Sequence, residues 1–234
     1  MRYDTVLFDA DGTLLDFLRS EAEALADALR EIGTEPKREM IQTYSKINDG
    51  LWKQLERGEI ERAVLAYRRF ELLFERYGIS FDAKRMAELY MTRLSTKGYC
   101  IKGAATLCRS LKERARLYIV TNGTEWIQRG RWAVSGLEEY FSEVFISEQI
   151  GYQKPDPRFF EAVAGEIPDF DREKTLIVGD SLTSDMQGGI NFGLDTCWYN
   201  PDGKTASAEL AGQLTYVVRS LEEIETIVTE GATV

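Results

Sequence analysis

Histidine is missing from all 234 residues. That absence excludes Ser-His-Asp and Cys-His catalysis, phosphotransfer through a histidine, and zinc hydrolases with imidazole ligands. Acid–base work must then fall to carboxylates, Lys, Tyr or Cys. Cysteine is scarce too: Cys100, Cys108 and Cys197 are odd in number and lack a Cys-x-x-Cys spacing. Neither a disulfide framework nor a cysteine zinc site is indicated. No apolar run approaches the ~18 residues of a membrane span. The P-loop and dinucleotide fingerprints, internal repeats and low-complexity segments are also absent. Positive charge is in deficit, with 29 Lys and Arg against 39 Asp and Glu, a net charge of -10. This argues against a nucleic-acid polymer or an anionic membrane as the main partner. Asp4 and Asp9 bracket only a short apolar run, so no secretory signal is expected there, and a cytoplasmic location is.

What is present begins with Val6-Leu7-Phe8-Asp9-Ala10-Asp11-Gly12-Thr13-Leu14-Leu15-Asp16. A short apolar run reads as a buried strand, and the glycine marks the turn after it. In an open parallel sheet, ligands bind beyond the carboxyl ends of the strands, where Asp9 and Asp11 would sit. Two carboxylates so close repel, which calls for a shared divalent cation, a retained proton, or both. Mg2+ prefers oxygen ligands and often binds together with substrate phosphates. One aspartate as nucleophile and the other as general acid–base fits the pair. Two solvated turn aspartates would give the same short pattern, so the rest of the chain must decide.

The hydrophobic fraction of 44% and the length allow one sizeable core plus a smaller second domain. After Phe17 the periodicity turns helical. Ser20-Glu21-Ala22-Glu23 reads as a capping box, with Ala22, Leu25, Ala26 and Leu29 at helical spacing. Further helices are expected from about Lys37 to Glu56 (with a break near Asn48-Asp49-Gly50), from Glu61 to Tyr77, and after Asp82. Four helices without a strand predict a small all-helical domain over 17–96, its core including the stripe Tyr67, Phe70, Phe74 and Tyr77. From Gly103 onward apolar strands alternate with helices: 117–120, 144–146, 176–178, 196–199 and 216–218. This predicts an α/β domain over 1–16 and 97–234, a Rossmann-like parallel sheet with helices on both faces. The helical domain is an insertion after the first strand.

Each core strand ends in polar residues. Thr121-Asn122-Gly123 offers a hydroxyl and backbone N–H groups for an anion, or simply caps a helix. Lys154, stiffened by Pro155, would be a solvated surface lysine or a cation that neutralises nucleophile and phosphate together. Asp180 and Asp185 could both face a cation, although a place near a helix start would by itself account for Asp185. Together these place Asp, Thr, Lys and Asp at the ends of different parallel strands.

The chain resembles the haloacid dehalogenase superfamily of phosphatases. Asp9-Ala10-Asp11-Gly12-Thr13 matches its first motif, Thr121-Asn122-Gly123 the second, Lys154 the third, and Gly179-Asp180 through Asp185 the fourth. The helical insertion is similar to that family's cap. Thr121 to Gln128, Ser135 to Phe141, Ile146 to Pro155 and the cap stretch Ile47 to Ile60 resemble the pyrimidine 5'-nucleotidase-like subgroup. The resemblance implies an aspartyl-phosphate on Asp9, with Asp11 donating and then accepting a proton. It implies Mg2+ held by the Asp9 carboxylate, the Asp11 backbone carbonyl and Asp180, with Asp185 in support. Thr121 and Asn122 would bind phosphoryl oxygens, Lys154 would neutralise charge, and the cap would close over the site. Asp11 favours phosphoryl transfer over dehalogenation. The expected substrate is a small phosphorylated metabolite, a nucleoside monophosphate first. A sugar-phosphate or phosphoglycolate-type phosphatase, a phosphomutase, and an inactive ligand-sensing protein are the alternatives. Phe17, Asn48 and Trp52 are candidates for selectivity by subgroup analogy, with helix packing as the other reading for each.

Overall fold

A computed structural model describes residues 2–230. Six parallel strands form one sheet: β1 (Thr5–Phe8), β2 (Arg116–Thr121), β3 (Glu143–Ile146), β4 (Thr175–Gly179), β5 (Asp195–Tyr199) and β6 (Tyr216–Val218). Their spatial order is β3-β2-β1-β4-β5-β6. The chain thus moves outward from β1 to β3 on one side, then crosses back to lay β4 on the other side of β1. The crevice at such a reversal, outside the carboxyl ends of the strands, is where open α/β sheets bind ligands.

The strands are continuously apolar because both faces are covered. Leu7, Tyr118, Val120 and Ile177 pack with Phe159, Phe160, Val163 and Phe192 of the helices Pro157–Glu166 and Gln187–Phe192. Val6, Phe8, Ile119 and Val178 point the opposite way and are fully buried. Helix Ala104–Lys112 packs on β2 and on helix Leu221–Glu230. Pro157 occupies the first turn of its helix, where no N–H is needed, and Asp156 caps it by accepting from the Arg158 N–H.

The fold divides into two compact units. One comprises the stretch up to Asp16, Cys100–Glu125 and the stretch from Ser135 onward; the other comprises Phe17–Tyr99 and Trp126–Val134. The second unit is built on α1 (Phe17–Glu31), α2 (Arg38–Glu56), α3 (Arg62–Tyr77) and α4 (Ala83–Leu94). Its core holds Leu25, Leu29, Tyr44, Phe70, Leu73, Phe74 and Tyr90, with Tyr67 and Tyr77 half-buried against it. Tyr44 stacks on Phe70 at 5.3 Å, and the Tyr90 ring lies 5.5 Å from Phe70. Of the stripe expected to be core, Phe70 and Phe74 are core, and Tyr67 and Tyr77 pack against it.

Three local expectations differ from the structure. α1 begins at Phe17, not at a Ser20 cap, because the Ser20 hydroxyl donates to the Lys97 carbonyl at 3.0 Å. α2 runs unbroken through Asn48-Asp49-Gly50. Asn48 is engaged by Glu21 and Arg69, and Asp49 pairs with Lys53 one turn on, so neither side chain competes for the helix backbone. Residues 126–134 fall in the helical unit, beyond the 17–96 expected of it. There Arg131 donates to the Lys97 carbonyl, and Gly130 passes Ser95 so closely that a Cβ would lie 2.6 Å from its carbonyl oxygen. Asp82 caps α4 as its position suggests, accepting from the Arg85 N–H at 2.7 Å.

Candidate active site

The carboxyl ends of β1, β2 and β4 converge with the loop before Pro155 on one charged cluster. Asp9 follows β1 directly and is 7% exposed. Lys154 arrives on the loop beyond β3 with 1% exposure, donating to Asp9 Oδ1, to Asp185 Oδ1 and to the Val120 carbonyl at 2.7, 2.7 and 2.6 Å. All three ammonium protons are therefore committed, and Lys154 is not a solvated surface residue.

Asp185 is held from both sides. Its Oδ1 accepts from Lys154, and its Oδ2 accepts from the Ser181 N–H at 3.0 Å. It lies in a wide turn, Leu182–Met186, whose Met186 N–H reaches back to the Ser181 carbonyl. Gly179 makes room for it, since a Cβ there would come within 2.3 Å of Asp185 Oδ2. Gly12 does the same for Asp180: its φ of +86° suits glycine, and a Cβ would lie 2.7 Å from Asp180 Oδ2.

Carboxylate oxygens of Asp9, Asp180 and Asp185 all lie within 4.8 Å of one another. Burial raises the Asp9 carboxyl well above the ordinary carboxylate range; Lys154 opposes this, while Asp185 and Asp180 add to it. Burial, then Asp185, pushes Asp180 up to about 7. Burial would lower the Lys154 ammonium, but Asp185 and Asp9 outweigh it and raise it. Three carboxylates against one ammonium leave the cluster short of positive charge. An all-oxygen donor set of this kind suits a hard divalent cation, so the residues fit Mg2+.

The remaining expected residues divide. Thr121 ends β2, nearly buried, and its Oγ1 accepts from the Gly123 N–H at 3.2 Å. It does not cap the following helix, whose first N–H, on Glu125, goes to Glu148 Oε2. Asp11 lies three residues past β1, half-buried, in a bridge to Leu15. Asn122 carries a role the sequence did not disclose. Its Nδ2 donates to the Lys154 carbonyl at 2.8 Å and its Oδ1 accepts from the Lys154 N–H at 2.9 Å. The side chain thus clamps the backbone of the lysine.

The selectivity candidates lie in the helical unit. Asn48 is buried, with both ends of its amide taken, by Glu21 Oε1 at 2.8 Å and Arg69 at 3.1 Å. The structure therefore gives it an internal partner at each end. Trp52 packs beside Leu51, Leu55 and Leu65, with the Arg62 guanidinium 5.5 Å from its ring. Phe17 packs against the main core of the unit, and the Arg131 guanidinium lies 5.6 Å from its ring. The sequence also left Glu21 and Arg69 unmarked. Burial raises the Glu21 carboxyl against the opposing effects of Ser45, Asn48 and Arg69.

A parallel sheet with an aspartate after β1, a lysine bridging two aspartates and a further aspartate after β4 defines a class, and sequence comparison agrees. The haloacid dehalogenase-like hydrolase profile matches residues 3–193, and the chain belongs to that family. It is 44% identical over 225 residues to the pyrimidine 5'-nucleotidase PynA of Streptococcus pneumoniae, covering 96% of this chain and 94% of that protein. It is 32% identical over 225 residues to the pyrimidine 5'-nucleotidase YjjG of Escherichia coli, covering 96% and 97%. The crystal structure of the putative HAD-hydrolase YfnB of Bacillus subtilis, bound to magnesium, superposes with a TM-score of 0.93 at 41% identity, covering 98% of this chain and all of that one. Among the described residues no helix is long and apolar enough to cross a membrane.

Proposed function

We propose that this protein is a Mg2+-dependent phosphatase whose substrates are pyrimidine nucleoside 5'-monophosphates. The observation that carries the reading is the cluster itself: a buried Asp9 gripped by Lys154, with Asp180 and Asp185 within 4.8 Å. The kinship with nucleotidases supports the substrate class.

Asp9 attacks phosphorus, forming a carboxylate–phosphoryl bond as the bond to the nucleoside 5'-oxygen breaks. Asp11 delivers a proton to that oxygen, releasing the nucleoside. Asp11 then takes a proton from water, whose oxygen attacks phosphorus; the bond to Asp9 breaks and inorganic phosphate leaves. Lys154 holds Asp9 in place and sets positive charge beside the phosphoryl group. The Thr121 hydroxyl and the Asn122 N–H bind phosphoryl oxygens, so much of the rate comes from fixed dipoles and charges. Asp9, Asp180 and the Asp11 carbonyl, with Asp185 in support, would hold Mg2+, which would supply the positive charge that the carboxylates and the phosphate require. We assign selectivity to the helical unit, with Phe17, Asn48 and Trp52 as its candidates, although Asn48 already has Glu21 and Arg69 as internal partners.

Phosphate release from a panel of nucleoside monophosphates and sugar phosphates, with Mg2+ and with chelator, tests the proposal. Uridine, cytidine and thymidine 5'-monophosphates should lead in kcat/KM by about tenfold or more. Equal rates on every ester would remove the nucleotidase assignment while sparing the phosphatase. No release from any ester, p-nitrophenyl phosphate included, would remove both.

A further inference from the structure

The proposed cation site leaves one close neighbour without a role. Trp198 lies on β5, in register with Gly179 of β4, and is 3% exposed. Its indole N–H donates to the backbone carbonyl of Asp180 at 3.0 Å. A buried indole needs an acceptor, and here the acceptor belongs to one of the three clustered aspartates.

Asp180 differs from the other two in how it is held. Lys154 fixes the Asp9 and Asp185 carboxylates directly, and the Ser181 N–H adds a second hold on Asp185. Among the described residues no hydrogen-bond donor reaches the Asp180 carboxylate. Its place is set from its own backbone, which Trp198 grips, and by the bare Gly12 on which its oxygens rest. Loosening that grip loosens the carboxylate.

We propose that Trp198 is a positioning residue for the divalent-cation site, acting through the Asp180 carbonyl. The inference rests on the Mg2+ reading given above. It implies a particular selectivity. Mg2+ needs near-ideal octahedral ligands at about 2.0–2.1 Å, whereas Ca2+ accepts variable geometry at about 2.3–2.6 Å. A wandering Asp180 therefore penalises Mg2+ more than Ca2+.

The test is calorimetric titration of the full-length protein with Mg2+ and with Ca2+, for the wild type and Trp198→Phe, which removes the N–H and keeps a buried ring. Partners that orient metal ligands typically alter affinity by about 10–100-fold. The Mg2+ Kd of Trp198→Phe should rise by about tenfold, with a clearly smaller rise for Ca2+. An unchanged Mg2+ Kd, or equal loss for both cations, would overturn the proposal and leave Trp198 as packing. Should the variant fail to fold, the wild type carries the test through the assigned indole N–H resonance of Trp198. That resonance should move with Mg2+ and saturate at the calorimetric Kd; one unmoved at saturation overturns the proposal. Wild-type protein that takes up no Mg2+ would instead remove the cation reading on which this rests.

Discussion

Lys154 places its ammonium 2.7 Å from the carboxylate of Asp9, a residue 145 positions earlier in the chain. The same nitrogen reaches Asp185 at 2.7 Å. Lys154→Met should fold less stably and lose activity for separate reasons. Breaking a buried ion pair from one side costs about 3–5 kcal/mol, because the remaining charge is left without its partner. The loss, read by denaturant unfolding, should shrink as the pH falls, because the Asp9 carboxyl, already raised by burial, takes up a proton instead. Turnover should fall by at least about 10²–10³-fold, the usual consequence of deleting one fixed electrostatic partner.

The clamp on that lysine can be tested apart from phosphate binding. Asn122→Ala keeps the backbone N–H assigned to the phosphoryl group and removes both bonds to the Lys154 backbone. Stranding those polar groups should cost about 1–3 kcal/mol in denaturant unfolding. kcat should fall, and KM for the nucleotide should change less. A variant as stable as the wild type would contradict the clamp.

Acid should weaken the cation site. The Asp180 carboxyl, pushed up to about 7, must lose its proton before it can bind metal. Below pH 7 the apparent Mg2+ Kd should rise by about tenfold per unit for one displaced proton. The metal-free protein has the complementary dependence. Between about pH 4 and 7 the folded chain holds a proton that an unfolded aspartate has released, so stability falls as pH rises through that window. Mg2+ binds the folded form, so the Tm gain it produces should be larger at pH 8 than at pH 6. A gain independent of pH would refute the assignment.

Gly179→Ala probes the room left for Asp185. A Cβ at position 179 would approach Asp185 Oδ2 to 2.3 Å, closer than any relaxed contact. The carboxylate must shift away from Lys154 and from the Ser181 N–H. Weaker Mg2+ binding by about tenfold or more, measured by calorimetry, is the expected outcome. Wild-type affinity would mean that Asp185 can move without consequence for the metal.

The strand ends were the legible part of the sequence. An apolar run followed at once by Asp9, Thr121 or Asp180 states both a strand and where it stops, and strand order then gathers those residues. Contacts between distant residues left no comparable trace. Nothing near Asn122 predicts that its amide reaches the backbone at Lys154, and Trp198 looks like one more buried strand residue. Asn48 shows the same gap from the other side. By type and position it invites a ligand, but Glu21 and Arg69, buried charges on neighbouring helices, occupy it. The Ser20 capping pattern failed likewise, because its hydroxyl is used by the Lys97 carbonyl. Local pattern fixes local structure only where no tertiary partner outbids it.

In the proposed reaction Asp9 carries the phosphoryl group between two half-reactions. Acid quenching during turnover of a pyrimidine 5'-monophosphate with Mg2+, followed by peptide mass spectrometry, tests it most directly. A phosphoryl adduct confined to Asp9 and absent from an inactive Asp9→Asn variant is the expected result. Turnover by Asp9→Asn at the wild-type rate, or an adduct on any other residue, would contradict it.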